Sequence, residues 1–153
     1  MTAYLENRPM RRTATLALLT ILLAASALVA QQTQLKDHTE AKKTALQSAT
    51  AWLKLVDNEN YDASWRSTSK EFQGSVSQKK WSQMAQAVRS PLGALNSRQL
   101  RDSTYTTSVP GAPDGQYVIL HFATSFANKK SATETVAMML QNGQWRVSGY
   151  FIK

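Results

Sequence analysis

The sequence predicts an α+β fold, with about three N-terminal helices packed on one face of a curved four-stranded antiparallel sheet. Three observations predict it. Apolar residues recur at helical spacing through the first part of the chain, up to Ser90. From Arg98 onward the period changes to two. Between two apolar-rich runs near the end stands Asn142-Gly143, a strong hairpin signal, because a type I′ turn needs positive φ at both central positions.

Residues 1–30 read as a secretory signal peptide. Arg8, Arg11 and Arg12 form a positive start, Ala14 to Ala25 an uncharged, mostly apolar core, and Ala25-Ser26-Ala27 and Ala30 offer small residues for cleavage. Cleavage after Ala30 is expected first, after Ala27 second. The alternative is an uncut inner-membrane anchor over residues 13–30, which is short and rich in Ala and Thr for a span. The protein is therefore expected to be exported, periplasmic or secreted, with residues 31–153 forming a single domain large enough for a core without staples.

Gln31 to Asp57 reads as one long helix, with Ala45, Ala49, Trp52, Leu53 and Val56 on one face. Asp57-Asn58-Glu59-Asn60 breaks it, and Asn60 suits the N-cap of a second helix carrying Tyr61, Trp65, Ser69 and Phe72 along one side. Gly74 is expected to end that helix. Ser77 caps a third, whose apolar stripe is Trp81, Met84, Ala85 and Val88, and Pro91 stops it near Ser90.

Arg98 to Val109 reads as a half-exposed strand, Pro110 to Gly115 as a loop and Gln116 to Phe126 as the central strand. On the central strand Val118, Leu120, Phe122 and Phe126 share one face, and Tyr117, Ile119, His121 and Ala123 the other. A regular hairpin about Asn142-Gly143 pairs Leu140 with Trp145, Met138 with Val147, Val136 with Gly149 and Glu134 with Phe151. That register puts Phe151 on the apolar face and Tyr150 on the wetter one, beside Arg146 and Ser148.

The charge balance, 18 basic against 10 acidic residues or +8, is spread along the chain rather than gathered in a block. It does not describe a nucleic-acid groove, and no aromatic-interleaved basic face accompanies it. The absence of Cys excludes disulfides, thiolate metal sites, thiol nucleophiles and a lipidated N-terminal Cys. His38 and His121 have no second ligand at metal spacing, so neither a metal nor a cofactor is expected. Ser67 and Lys70 form a bare S-x-x-K without companion motifs, and no phosphate-cradling Gly loop occurs. Trp52, Trp65, Trp81 and Trp145 all fall on predicted apolar faces and read as core. Glu134 lies in a strand on the apolar face; the simplest reading is an ion pair with Arg89 or Arg98, and the sharper one a carboxylate at a cavity mouth. Arg89, Arg98 and Arg101 could alternatively clamp an anion with forked donors.

Four blocks of sequence carry a resemblance to a known family: AWLKLVDNENYDASW (Ala51–Trp65), KKWSQMAQAVRSPLGALNSR (Lys79–Arg98), PGAPDGQYVILHFATSFANK (Pro110–Lys129) and ETVAMMLQNGQWRVSGYFIK (Glu134–Lys153). In order and content they resemble the bacterial exported family of unknown function DUF4019, over about residues 45–153. The resemblance brings no activity and no catalytic residue. Its order of helices then sheet looks like a cystatin-like or nuclear-transport-factor-two-like cone, an architecture that hosts enzymes, binders and dimerisation modules alike.

The leading expectation is a non-catalytic exported domain that binds a partner protein or a small ligand in the cell envelope, with no nucleic-acid partner and no membrane contact beyond an uncut anchor. One alternative is a small enzyme with a pocket lined by Tyr117, His121, Arg146 and Tyr150, which share a face in the regular register. Another is a self-associating domain, a homodimer formed through the wet sheet face at Ala137, Met139 and Tyr150.

Overall fold

The computed structural model describes residues 31–32 and 38–153. The expected signal peptide, residues 1–30, lies outside the described residues. The chain divides into two compact units, Met1–His38 and Thr39–Lys153; in the first, the described residues 31, 32 and 38 are helical. The second carries the predicted α+β fold. Among the described residues no helix is long and apolar enough to cross a membrane.

The first helix, α1, covers residues 38–57. Its predicted stripe, Ala45, Ala49, Trp52, Leu53 and Val56, is buried throughout. The helix ends in a Schellman cap: Asn60 N–H donates to the Leu55 carbonyl at 2.8 Å and Glu59 N–H to that of Val56 at 3.1 Å. Glu59 occupies the left-handed position of this cap, φ 57°, where glycine is usual.

The second predicted helix is two helices, α2 (Tyr61–Arg66) and α3 (Lys70–Ser75). Asn60 caps the first as expected. The break has a tertiary cause, since Thr68 bridges to Val147 and Ser69 N–H donates to the Val147 carbonyl at 2.8 Å. Ser69 then caps α3 instead of lying on a helix face. Gly74 does not end α3, which runs one residue further and stops at extended Val76.

Helix α4 (Gln78–Arg89) has its Ser77 cap, and Pro91 lies in a short 3-10 turn, Ser90–Leu92, just beyond it. Only half its stripe is covered: Trp81 and Ala85 are buried, while Met84 and Val88 are half exposed. Gly93 follows at φ 74°, and a Cβ there would meet Ala127 Cβ at 3.0 Å. Only glycine lets the chain leave α4 so close to the β2–β3 turn.

Strands β1 (Leu95–Thr106), β2 (Tyr117–Phe126), β3 (Ala132–Gln141) and β4 (Gln144–Ile152) form an antiparallel meander in that order. The sheet is open, with β1 and β4 at its edges. Asn142 and Gly143 take φ 50° and 74°, as the hairpin signal requires. The inner sheet residues Val118, Leu120, Phe122, Val136, Met138 and Val147 pack with the buried residues of α1, α2 and α4 in one core.

The predicted register holds near the turn and fails beyond it. Leu140 pairs with Trp145 and Met138 with Val147, but Ala137 pairs with Gly149, Val136 with Tyr150 and Glu134 with Ile152. Ser148 is the extra residue of a bulge, its hydroxyl donating to the Ala137 carbonyl at 3.2 Å. One inserted residue reverses the faces of everything after it. Tyr150 turns into the core, and Phe151, expected inside, is 63% exposed.

All four indole N–H groups find acceptors. Trp52 donates to the Ser64 carbonyl (2.9 Å), Trp81 to Ser64 Oγ (2.9 Å), Trp65 to the Val76 carbonyl (2.7 Å) and Trp145 to Thr44 Oγ1 (3.0 Å). Fully buried Ser64 thus ties α1 and α4 to α2 through its two oxygens. Ser64→Ala strands the Trp81 N–H in the core and should lower stability by about 1–3 kcal/mol, read from the midpoint of urea unfolding at unchanged slope.

Candidate functional site

Four charged side chains from distant parts of the chain meet beneath the helices. Asp57 is the last residue of α1, Arg89 the last of α4, Arg98 lies on β1 and Glu134 on β3. Arg98 donates from Nε to Glu134 Oε2 at 2.5 Å and from Nη1 and Nη2 to Asp57 at 2.7 and 2.9 Å. Arg89 Nη2 donates to Asp57 Oδ1 at 2.7 Å, and its Nη1 lies 3.8 Å from Glu134 Oε1. The Arg89 guanidinium also sits over the Phe126 ring, 4.4 Å from its centroid.

Glu134 is fully buried, and two hydroxyls complete its shell. Thr124 Oγ1 donates to Oε2 at 2.7 Å, and Tyr150 donates a short hydrogen bond to Oε1. The Ser148 bulge makes the second of these possible, because it brings Tyr150 to the inner face. Burial, reinforced by the Glu134 carboxylate, pushes the Tyr150 phenol well above its ordinary 10.0, so it stays a donor. Burial alone would lower the Arg98 pKa; its hydrogen bonds to Asp57 and Glu134 outweigh that and hold it charged. The simple reading of Arg89, Arg98 and Glu134 as ion-pair partners is the geometry found. Asp57, the fourth member, was missed by sequence reasoning, its one signal being its place directly after buried Val56 at the helix end.

The four residues proposed to line a pocket do not converge. Tyr117 is buried on the outer face under the β1–β2 loop, its hydroxyl donating to the Pro113 carbonyl at 2.7 Å. His121 is also on the outer face, where Nδ1 lies 3.1 Å from Asp102 Oδ2. Asp102 reaches that place through a second bulge, which inserts Arg101 into β1. Arg146 donates to Gln144 Oε1 at 2.7 Å near the hairpin tip. Tyr150 lies on the opposite, inner face, which corrects its predicted position, and its ring packs edge-on against Trp52 at 5.2 Å and Trp81 at 6.4 Å.

Beside these groups a pocket of about 290 Å³ opens between α4 and the end of β4, lined by Met84, Val88, Arg89, Tyr150 and Phe151, and two more adjoin α1. One, of about 410 Å³, lies between α1 and the β3–β4 hairpin, with Trp52, Leu55, Met138 and Trp145 as apolar walls and Ser48, Ser67 and Arg146 as polar ones. The other, of about 320 Å³, adjoins the charge cluster; Val56, Asp57, Glu59, Tyr61, Arg89 and the Ser90–Leu95 turn line it. Arg89 Nη1 and the Tyr61 hydroxyl, both buried from solvent, have no hydrogen-bond partner among the described residues, although Nη1 is within ion-pair distance of Glu134. Among the described residues no group of three His, Asp or Glu side chains could hold a metal ion.

The fold and cluster define a helix-on-open-sheet α+β domain closed by a buried ion-pair clamp. Its sequence matches the family model described as protein of unknown function, DUF4019, over residues 48–150, and the chain belongs to that family. Among curated proteins none matches it.

Breaking the clamp on one side should be costly. Glu134→Gln leaves two guanidiniums facing one carboxylate and should lose about 3–5 kcal/mol in urea unfolding. Tyr150 makes the domain sensitive to alkali. Its folded pKa is raised, so the stability it contributes is present below the unfolded value of 10.0 and lost as pH rises above it. The loss from this group is up to about 1.4 kcal/mol per pH unit. Tyr150→Phe removes that contribution, so its stability should fall less steeply above that pH than that of the unaltered protein.

Proposed function

We propose that this protein is a non-catalytic, exported domain that binds a partner protein or small ligand in the cell envelope. The observation that carries the reading is a contrast within a few residues. Asp57, Glu134 and Arg98 are saturated by one another, whereas pockets of about 320 and 410 Å³ open beside them. Saturated charges hold a fold together, and a pocket with polar and apolar walls can receive a ligand. Export rests on the basic start, apolar core and small-residue sites of residues 1–30.

The second reading, a small enzyme working at His121, is favoured by the 3.1 Å approach of Asp102 to its Nδ1. A carboxylate there would orient the ring as a general base. The side chains of His121 and Asp102 are 39% and 56% exposed on the outer face, however, so water reaches the pair. Self-association would use the same face, where Phe151 now takes the place expected for Tyr150.

The purified protein heated with envelope extracts and a ligand library should show a raised melting temperature with at least one component. A ligand at about a hundred times its Kd adds about 2.7 kcal/mol. If no component raises the melting temperature or co-purifies, the binding reading fails. Protein recovered from the periplasm should begin at Gln31; an intact Met1 in the cytosol would overturn export.

A further inference from the structure

We propose that the groove between α4 and the end of β4 binds a single straight alkyl chain ending in a carboxylate, a free fatty acid of medium length. This deepens the binding reading and rests on it. The groove holds about 290 Å³, at the small end of ligand sites. Of the five large apolar side chains left exposed among the described residues, three line it: Met84, Val88 and Phe151, at 49%, 50% and 63%. Met84 and Val88 stand one turn apart on α4, and buried Trp81 and Ala85 extend the same stripe along the groove. Half-buried Ile152 adds an aliphatic wall from the strand. Open apolar surface gathered in one concavity, instead of scattered singly, marks a binding surface.

The walls decide the class of ligand. Every polar side chain in them except Lys153 is engaged elsewhere: the Trp81 N–H donates to Ser64, the Tyr150 hydroxyl to Glu134, and Arg89 is held by Asp57 and Glu134. A ligand rich in polar groups would find few side-chain partners there, whereas an alkyl chain asks for none. The unbranched thioether of Met84 adapts to such a chain. Charge supplies the other end. Apart from Arg89, α4 and β4 carry Lys79, Lys80 and Arg146 and no acid. Lys153, exposed in the groove wall, makes no ion pair among the described residues. Its carbonyl accepts from Thr133 N–H at 2.9 Å, and the turn just before Thr133 adds Lys129 and Lys130. A carboxylate is drawn to that rim and an ammonium is not. The same surplus opposes a second copy of the chain, which would bring its own lysines to the face.

The test is calorimetric titration of the purified protein with hexanoate, octanoate and decanoate below their micellar concentrations, with octanol and octylamine as uncharged and cationic probes, and nitrogen–proton NMR to place the site. Octanoate should give saturable shifts at Met84, Val88 and Phe151, and bind more tightly than octanol and about tenfold more tightly than octylamine. Each two added methylenes should tighten binding about tenfold. Val88→Glu, at a half-exposed helix position, puts a carboxylate in the wall, so octanoate binding should weaken about tenfold while the melting temperature holds. Lys153→Gln should narrow the preference for octanoate over octanol. Equal binding of octanoate and octylamine, no gain with chain length, unchanged affinity in Val88→Glu, or no saturable shift with any probe would each overturn the assignment. Binding to anionic vesicles without a response to soluble octanoate would overturn it in favour of a membrane surface, and a dimer that Val88→Glu returns to monomer in favour of a second copy. Shifts confined to Trp145 and Met138 would move binding to the α1–hairpin pocket, overturning this site but leaving the binding reading in place.

Discussion

A carboxylate with no exposed surface has to find its hydrogen bonds inside the protein, and Glu134 is such a group. Bringing an ion out of water costs several kcal/mol, returned only by well-directed charged partners and complete hydrogen bonding. Glu134 obtains them from every layer of the domain: Arg98 on β1, Thr124 on β2, Tyr150 on β4 and Arg89 at the end of α4. Asp57 extends the set to α1 by accepting from both arginines. Its charge lies at the negative end of the α1 dipole, an unfavourable position that the two guanidiniums offset, whereas Arg89 at the end of α4 is favoured there. The cluster therefore fixes where two helices end relative to the sheet, which apolar packing alone specifies loosely.

That constraint explains the bulge. A regular β4 would send Tyr150 outward and set Phe151 near Glu134, where a benzyl ring offers no donor. Inserting Ser148 exchanges the two. Tyr150 closes the shell of the carboxylate and fills the space between Trp52 and Trp81, and Phe151 goes to the surface. Exposing one aromatic ring loses a few kcal/mol of burial at most, comparable to leaving a buried charge short of one hydrogen bond, and the phenol regains its own burial. The bulge lies at an edge strand, where a ladder is most easily interrupted.

Much of this was legible in the chain itself. Helical periodicity located the buried stripe of α1 to the residue, because a face packed along its length leaves an unbroken pattern. Asn142-Gly143 fixed the hairpin because its backbone demand is local. An acid on an otherwise apolar strand face announced an ion pair, with Arg89 and Arg98 as candidates. What escaped depends on distant partners. The break between α2 and α3 follows from Thr68 and Ser69 meeting Val147, and nothing in Ser67-Thr68-Ser69 alone forbids helix. Met84 and Val88 have the right spacing, but about half of each stays exposed. Ser148-Gly149, a short polar residue beside a glycine in a strand, was the available sign of a bulge. Read as regular strand, it misplaced Tyr150 and with it the four-residue pocket.

The clamp also determines what the neighbouring pocket can do. A free arginine side chain has many rotamers, and binding through it normally loses about 1–2 kcal/mol of that freedom. Arg89 has already lost it. Asp57 holds its Nη2, the Phe126 ring lies under its plane, and its Nη1 is 3.8 Å from Glu134 Oε1. Its charge is largely neutralised by Asp57 and Glu134, so the part of the pocket wall it forms is fixed and carries little net charge. Tyr61, anchored at the first turn of α2 beside the Asn60 cap, is held from the other side. Saturating these charges thus also fixes part of a pocket wall, and the stability of the domain and the shape of its pocket both draw on Arg89.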